Sequence, residues 1–437
     1  LKISFKLKVK DKINGFIEAL NHIFIFGENN KFENCDVLFV CHEVDFGFEY
    51  NQKKYSPNID TLNELISSLG YKTAKIIKPY TTLDPDEIYG LNFTVNGIFG
   101  RSAFKERFFM YTGRESIKQG SYRIDTWYEI IRSINPRLII SIQPPRELCM
   151  AAKRHEVWVA DLQHGVISED HYYSQNYREI YDQSGWPDCI LCWNNKSKIW
   201  IDEHYSEFVN SRVVGHPFIQ RFIEKKETDN LVQDSLRHIC SSDKGNETIL
   251  FTAQWTNLGK LDLLAIGLSE SIIDLIKDDR STYQWWIRIH PKTLNIHGSE
   301  KVFNLLSERF SNNNNVFWDI PTLEPLPVIL SKSNLHITYN SAVTIEAALF
   351  GIKTALLSSN RVELYDWFSE EISSGSAETV VDDSVSLKEW IKSKIHSKDK
   401  INRGKSIDYS EELKSFLNDI NTYLQSRSNN VSILNKS

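Results

Sequence analysis

The stretch His336 to Thr354, HITYNSAVTIEAALFGIKT, reads as a strand, a turn, a helix and the start of a second strand. His336 to Tyr339 is a short β-prone run, Asn340 and Ser341 are turn and N-cap residues, and Ala342 to Phe350 are good helix formers. Gly351 predicts the helix stop, because a residue without Cβ enters the left-handed conformation at little steric cost. Such a unit turns free backbone N–H groups and the positive end of a helix dipole toward whatever lies beyond the strand, which suits a phosphate. Glu346 lies about one and a half turns into the predicted helix, where a carboxylate can meet ribose hydroxyls. An ordinary buried βα unit carries the same pattern, so the neighbouring segments must decide between them.

The rest of the chain supplies enough material for two such sheets. It has 437 residues, 41% hydrophobic and 12% aromatic, long enough for two domains with substantial cores. The 51 basic residues against 57 acidic ones leave a net charge of −6, so no global basic field points to nucleic acid as a partner. Cys35, Cys41, Cys149, Cys189, Cys192 and Cys240 lie mostly in apolar runs without the spacing of a secreted disulfide framework, and a reducing cytoplasm is expected. Cys189-x-x-Cys192 falls inside the strand-like DCILCW and lacks a second ligand pair, so it is read as core. No apolar run reaches the roughly 18 residues of a membrane span, and the sequence shows no signal-peptide pattern. The opening LKISFKLKVKDKINGFIEALNHIFIF alternates Lys with apolar residues. It reads as an edge strand plus a first helix, with peripheral contact to an anionic inner-membrane surface as the alternative. Leu1 in place of Met suggests a module of a longer polypeptide.

Working outward from residue 336, strands are expected at 249–255, 284–290, 315–320, 353–358 and 378–383, with helices near 260–277, 300–310, 324–332 and 387–396. Short connections between alternating strands and helices imply a doubly wound parallel sheet. A comparable rhythm occupies the N-terminal half. It has strands at 35–42, 71–77, 137–142, 156–162, 188–193 and 211–215, and helices near 57–69, 122–134 and 146–153. Residues 79–120 form a less regular, helical insertion. Residues 1–217 are therefore assigned to one domain, 218–246 to a charged linker with a helix, 247–405 to the second domain, and 406–437 to a last helix and tail. The helix spans about 410–426 and the end is frayed.

Ligands of open α/β sheets bind beyond the carboxyl ends of the strands. In the second domain those ends are Thr252-Ala253-Gln254-Trp255, Arg288-Ile289-His290-Pro291-Lys292 and Asn340-Ser341, with Thr344 and Glu346 just beyond. Together they offer cations, an imidazole, amides and a helix start, the inventory that a nucleotide phosphate needs. In the first domain VWVAD runs into Leu162-Gln163-His164-Gly165, whose glycine permits close approach of substrate and whose histidine can take a hydroxyl proton. Asp161 and Glu147 are the carboxylate candidates for acid, base or nucleophile. Glu43, Asp45, Phe46, Phe48 and Tyr50 form an acidic, aromatic loop suited to a sugar acceptor, or an ordinary packed loop. Asp84-Pro85-Asp86 reads as a turn, and no metal site is expected.

The small polar residue, Thr344, Glu346-Ala347 and Gly351 together resemble the donor-nucleotide signature of GT-B glycosyltransferases. The resemblance implies an α/β fold of two Rossmann-like doubly wound domains facing each other across a cleft, with a C-terminal helix crossing back to the first. Gly215-His216-Pro217 matches the turn that closes the N-terminal sheet in that fold. His290-Pro291 is similar to the His-Pro motif of bacterial sialyltransferases and 3-deoxy-manno-octulosonate (Kdo) transferases, which use CMP-activated acidic sugars. Gln163-His164-Gly165 resembles turns of enzymes that assemble capsules, lipopolysaccharide and teichoic acid, CDP-glycerol polymerases included. Some retaining Kdo transferases use an Asp nucleophile; this chain has His164 at the comparable turn, and Asp161 is the nearest carboxylate. The resemblance implies a metal-independent transferase with no cofactor beyond the nucleotide sugar. Thr252, Gln254, Arg288, His290, Pro291, Lys292, Asn340, Ser341, Thr344 and Glu346 would hold the donor, and a glycan or lipid-linked glycan would be the acceptor. A UDP-sugar, GDP-sugar or CDP-glycerol transferase, a nucleotide-sugar epimerase and a non-catalytic glycan-binding module are the alternatives.

Overall fold

The computed structural model describes residues 32–112, 121–168, 183–240, 247–254, 261–279, 282–357, 361–395 and 410–434. The opening stretch read as strand, helix or membrane contact lies outside the described residues, as do Trp255 and the side chain of Cys240.

The first sheet starts on β1 (Val37–Cys41), five apolar residues all buried, the composition of a strand covered on both faces. A hairpin, β2 (Phe48–Tyr50) and β3 (Lys53–Tyr55), follows where the sequence predicts only a loop. Asn51 and Gln52 both take positive φ, 51° and 59°, as the two-residue turn of a right-twisted hairpin requires. The remaining strands are β4 (Thr73–Ile77), β5 (Leu138–Ser141), β6 (Trp158–Leu162), β7 (Cys189–Cys192) and β8 (Asn210–Val213). They pair in parallel in the order β4-β1-β5-β6-β7-β8.

The second sheet comprises β9 (Thr248–Thr252), β10 (Gln284–Arg288), β11 (Val316–Phe317), β12 (Leu335–Thr338), β13 (Lys353–Leu357) and β14 (Ala377–Val380). Its order is β11-β10-β9-β12-β13-β14, again parallel throughout. Each sheet therefore reverses direction once. The switch lies between β1 and β5 in the first sheet and between β9 and β12 in the second, the places where open α/β sheets leave a crevice.

Several elements depart from the expected ones. The stretch read as linker holds two helices, Pro217–Glu224 and Asn230–Cys240, rather than one. Their Phe218, Phe222, Leu231 and Val232 pack in one core with Leu250 and Trp286 of the second sheet and Phe48 and Tyr55 of the hairpin. The 315–320 strand is cut to two residues because Asp319–Leu323 turns helical, and further helices at Asn195–Tyr205 and Arg361–Ser373 were not foreseen. The last helix runs Ser410–Leu434, into the end read as frayed, of which 435–437 lie outside the described residues. Phe416, Ile420 and Leu424 bury it on the first sheet, and Arg212 pairs with Asp419.

Five cysteines, Cys35, Cys41, Cys149, Cys189 and Cys192, are free and buried, and burial pushes the thiols of Cys35 and Cys189 up to about 12. Asp84 accepts the Asp86 amide at 2.9 Å, so the Asp-Pro-Asp stretch is a turn. Among the described residues no helix is long and apolar enough to cross a membrane, and no group of three or more metal-ligating side chains is present.

Candidate functional site

The strand register sets Thr252 between Arg288 on one side and Thr338 on the other, so all three strand ends named from the sequence lie side by side at the second switch point. Their side chains divide into two groups. Thr252 is buried and hydrogen-bonds His336 Nε2 at 2.8 Å, and His336 in turn meets Thr354 at 3.0 Å. Burial without a charged partner lowers the His336 pKa to about 3, so the imidazole is a neutral core link. Arg288 donates to the carbonyls of Pro321 and, at 2.8 Å, Glu324, bracing the 321–324 turn beside the cleft. Burial lowers its pKa to about 10, opposed by Glu346 and Glu324. These residues build the edge of the site instead of projecting into it.

His290 caps the Pro291–His297 helix, its Nδ1 accepting the Lys292 amide at 3.1 Å. Desolvation at the cleft edge, with Lys292 and Arg288 nearby, lowers its pKa to about 4, so at neutral pH the ring is an uncharged hydrogen-bonding group. Pro291 and Lys292 are exposed, and Gln254 and Asn340 are half-buried. Gln254 Nε2 reaches Thr338 at 3.5 Å. Gly267, unnoticed in the sequence, lies against that strand end: a Cβ there would sit 2.5 Å from the Gln254 carbonyl oxygen.

The helix of the opening stretch is Val343–Leu349, seven residues and shorter than expected at both ends. Asn340 does not cap it. Ser341 Oγ accepts the Val343 amide at 3.3 Å, and Ala342 occupies the cap position. Gly351 at φ 72° ends the unit as its sequence predicts. Thr344 is buried with its hydroxyl unpartnered among the described residues.

Two turns of the first domain close on this unit. Val166, two residues beyond His164, packs in one apolar cluster with Ala342 and Ile345. His216 of the Gly-His-Pro turn sets its Nε2 3.3 Å from Glu346 Oε1. The QHG turn is pinned by buried Gln163, which donates to Gly165 O at 2.8 Å and Ser197 Oγ at 3.1 Å and accepts the Trp193 amide at 2.7 Å. His164 is held half-buried on that pinned turn.

The remaining carboxylate candidates sit elsewhere. Asp161 is fully buried and accepts the Gln143 amide at 2.8 Å, so it braces the ends of β5 and β6. Glu147 lies in the first turn of the Arg146–Arg154 helix, 3.7 Å from Arg123. The groups drawn to the first switch point are His42, Asp45 and Lys78, of which only Asp45 was a candidate from the sequence, because a lone strand-end histidine or lysine carries no pattern. Lys78 donates to the carbonyls of Ile142 and Gln143, both at 2.8 Å, beside the charges of Asp45 and Asp161. Gln143 itself adopts φ 47° and Tyr80 φ 70°, left-handed backbone beyond the ends of the two strands that flank β1. Burial pushes Asp45 up to about 6 against the lowering pull of the His42 amide (2.6 Å) and Lys78. A carboxyl group titrating there can exchange a proton near neutrality.

Between the domains lies a cleft of about 860 Å³. Phe46, Phe48 and Tyr50 line one wall and Pro291, Leu294 and Glu324 the other.

No family model and no curated protein matches this sequence. Its fold, however, matches solved structures over nearly the whole chain. UDP-GlcNAc 2-epimerase from Neisseria meningitidis bound to UDP-GlcNAc aligns at 15% identity and a TM-score of 0.56, covering 88% of this chain and 99% of that one. The wall teichoic acid polymerase TagF aligns at 12% identity and 0.56, covering 98% and 99%. The S. aureus MnaA-UDP structure aligns at 15% and 0.52, covering 89% and 96%. The shared architecture is two parallel Rossmann-like sheets, and the chain has the GT-B fold.

Proposed function

We propose that the chain is a nucleotide-sugar-dependent glycosyltransferase acting on a growing bacterial surface glycan. The favoured donor is a CMP-activated acidic sugar, Kdo first and sialic acid second. The observation that supports it best is the closure of two first-domain turns, Gln163-His164-Gly165 and Gly215-His216-Pro217, on the 340–346 unit of the second domain. It sets the turn that carries His164, and the His216–Glu346 pair, against one βα unit of the second domain. Lys292, Gln254, Ser341, Thr344 and Glu346 would hold the donor, while Arg288, Thr252 and His290 keep the edge in shape. His164, or Asp45 with its pKa near neutrality, would take the acceptor hydroxyl proton as that oxygen attacks the sugar carbon and the nucleotide leaves. Lys292 would offset the charge on the leaving phosphate. The aromatic wall at Phe46, Phe48 and Tyr50 suits the faces of acceptor sugars.

Fold likeness to UDP-sugar epimerases and to a teichoic acid polymerase keeps a second reading in view, a UDP-sugar or CDP-glycerol enzyme. A thermal-shift panel of CMP, CDP, UDP and GDP separates the donors. A ligand at 100 times its dissociation constant adds about 2.7 kcal/mol to the stability of the folded state. Stabilisation by UDP and none by CMP overturns the donor choice. Conversion of a UDP-sugar with no acceptor present would make the chain an epimerase.

A further inference from the structure

We propose that His216 is a positioning residue for Glu346, fixing its carboxylate so that the site selects ribose over 2′-deoxyribose. This rests on Glu346 lying in the donor site.

The geometry specifies both nitrogens of the ring. Nδ1 accepts the Ile219 amide at 3.4 Å as the N-cap of the Pro217–Glu224 helix, so in the neutral imidazole the proton sits on Nε2. Nε2–H then lies 3.3 Å from Glu346 Oε1, close enough to steer the carboxylate without protonation of the ring. The ring cannot swing away easily. It packs on Trp193 with centroids 4.6 Å apart and ring planes tilted by 35°, His216 is 7% exposed, and Gly215 at φ 70° makes the turn that delivers it.

Glu346 is thereby met at Oε1 by His216, with the Arg288 charge nearby, and Oε2 is left as an acceptor. A carboxylate so fixed accepts from two adjacent hydroxyls at once, the cis-diol of a ribonucleotide, whereas a 2′-deoxynucleotide supplies one. Two further groups at the junction await partners: the buried Trp193 indole N–H and the buried Thr344 hydroxyl. His216 belongs to the segment joining the two sheets, so the ribose clamp is shared between the domains.

Substitutions separate the two jobs of the ring. Asn in place of His216 keeps a capping oxygen near the Nδ1 position and loses the reach to Glu346; Gln places an N–H donor near Nε2 and caps poorly. Titration calorimetry would compare CMP with 2′-deoxy-CMP, or UDP with 2′-deoxy-UDP if UDP is the nucleotide that stabilises the protein. The wild-type protein is expected to favour the ribonucleotide at least tenfold, H216N to discriminate less than threefold, and H216Q to recover most of the preference. A folded H216N that discriminates like wild type overturns the proposal and leaves the donor site standing. A wild-type protein that binds no nucleotide removes the donor site and the proposal with it. Should both variants fail to fold, nitrogen-15 histidine spectra of the wild-type protein decide: an Nε2–H tautomer whose signal moves with ribonucleotide supports the assignment, and an Nδ1–H tautomer refutes it.

Discussion

The carboxyl edges of the two sheets share one plan and carry opposite chemistry. At the second-domain edge the polar side chains are largely consumed in holding the edge itself: Arg288 on two carbonyls, Thr252 on His336, His290 on its helix. At the first-domain edge the polar side chains are titratable and crowded, with Asp45, Lys78 and His42 all displaced from their ordinary pKa values chiefly by burial. A rigid edge recognises, because its donors need no reorganisation when a ligand arrives. A crowded, desolvated edge is suited to exchanging protons, because burial there brings carboxylate titration toward neutral pH.

The largest expected break in this contrast is Arg288→Met. It leaves the Pro321 and Glu324 carbonyls without their donor, at a cost of about 1–3 kcal/mol for each unsatisfied group, and loosens the turn beside the cleft. Urea unfolding should show a loss of about 3 kcal/mol together with lost nucleotide binding. Lys292→Met, at an exposed position, should cost binding with no change in stability. Equal destabilisation by the two would erase the division between bracing and binding cations.

Asp45→Asn probes the other edge. The folded-state pKa of about 6 lies above the ordinary 3.8, so the folded protein holds that proton more tightly than the unfolded chain. The resulting stabilisation is complete below about pH 4 and is lost as pH rises through about 6. Asn cannot ionise, so the variant should gain on wild type between pH 4 and 7 in thermal melts and be the more stable protein at pH 7.5. Transferase activity should nevertheless fall in the variant, and wild-type activity should decline below about pH 6. A variant that keeps full activity would assign proton removal to His164 alone.

The smallest effect is expected from Thr344→Val. The hydroxyl is buried without a partner, so replacing it with a methyl should change stability by less than about 0.5 kcal/mol while nucleotide affinity drops several-fold. A clear loss of stability would mean that the hydroxyl already serves the fold.

Much of the architecture is legible in the residues because strands buried on both faces need near-continuous apolar runs, and VLFVC, CILC and KTALL leave little choice. The β2–β3 hairpin escapes the same reading, since Asn51-Gln52 lacks the glycine that usually marks such a turn. The charged 218–246 stretch suggests a solvated connector, yet its apolar residues at helical spacing pack into the second domain. Candidate site residues are recognisable as polar groups at strand ends. Their orientation is not, because one position of register exchanges the two faces of a strand: Asp161 and Thr252 turn into the protein.

For His336 to Thr354, local chemistry alone determines a strand, a turn, a short helix and a stop at Gly351, since each follows from propensity and backbone sterics within a few residues. Only the tertiary structure decides what the unit meets. His216 and Val166 reach it from the other domain, through contacts between segments far apart in the chain that no local pattern encodes. The carboxylate of Glu346 is a surface group by its sequence and an anchored acceptor by its neighbours, because hydrogen bonding and burial belong to the assembled junction.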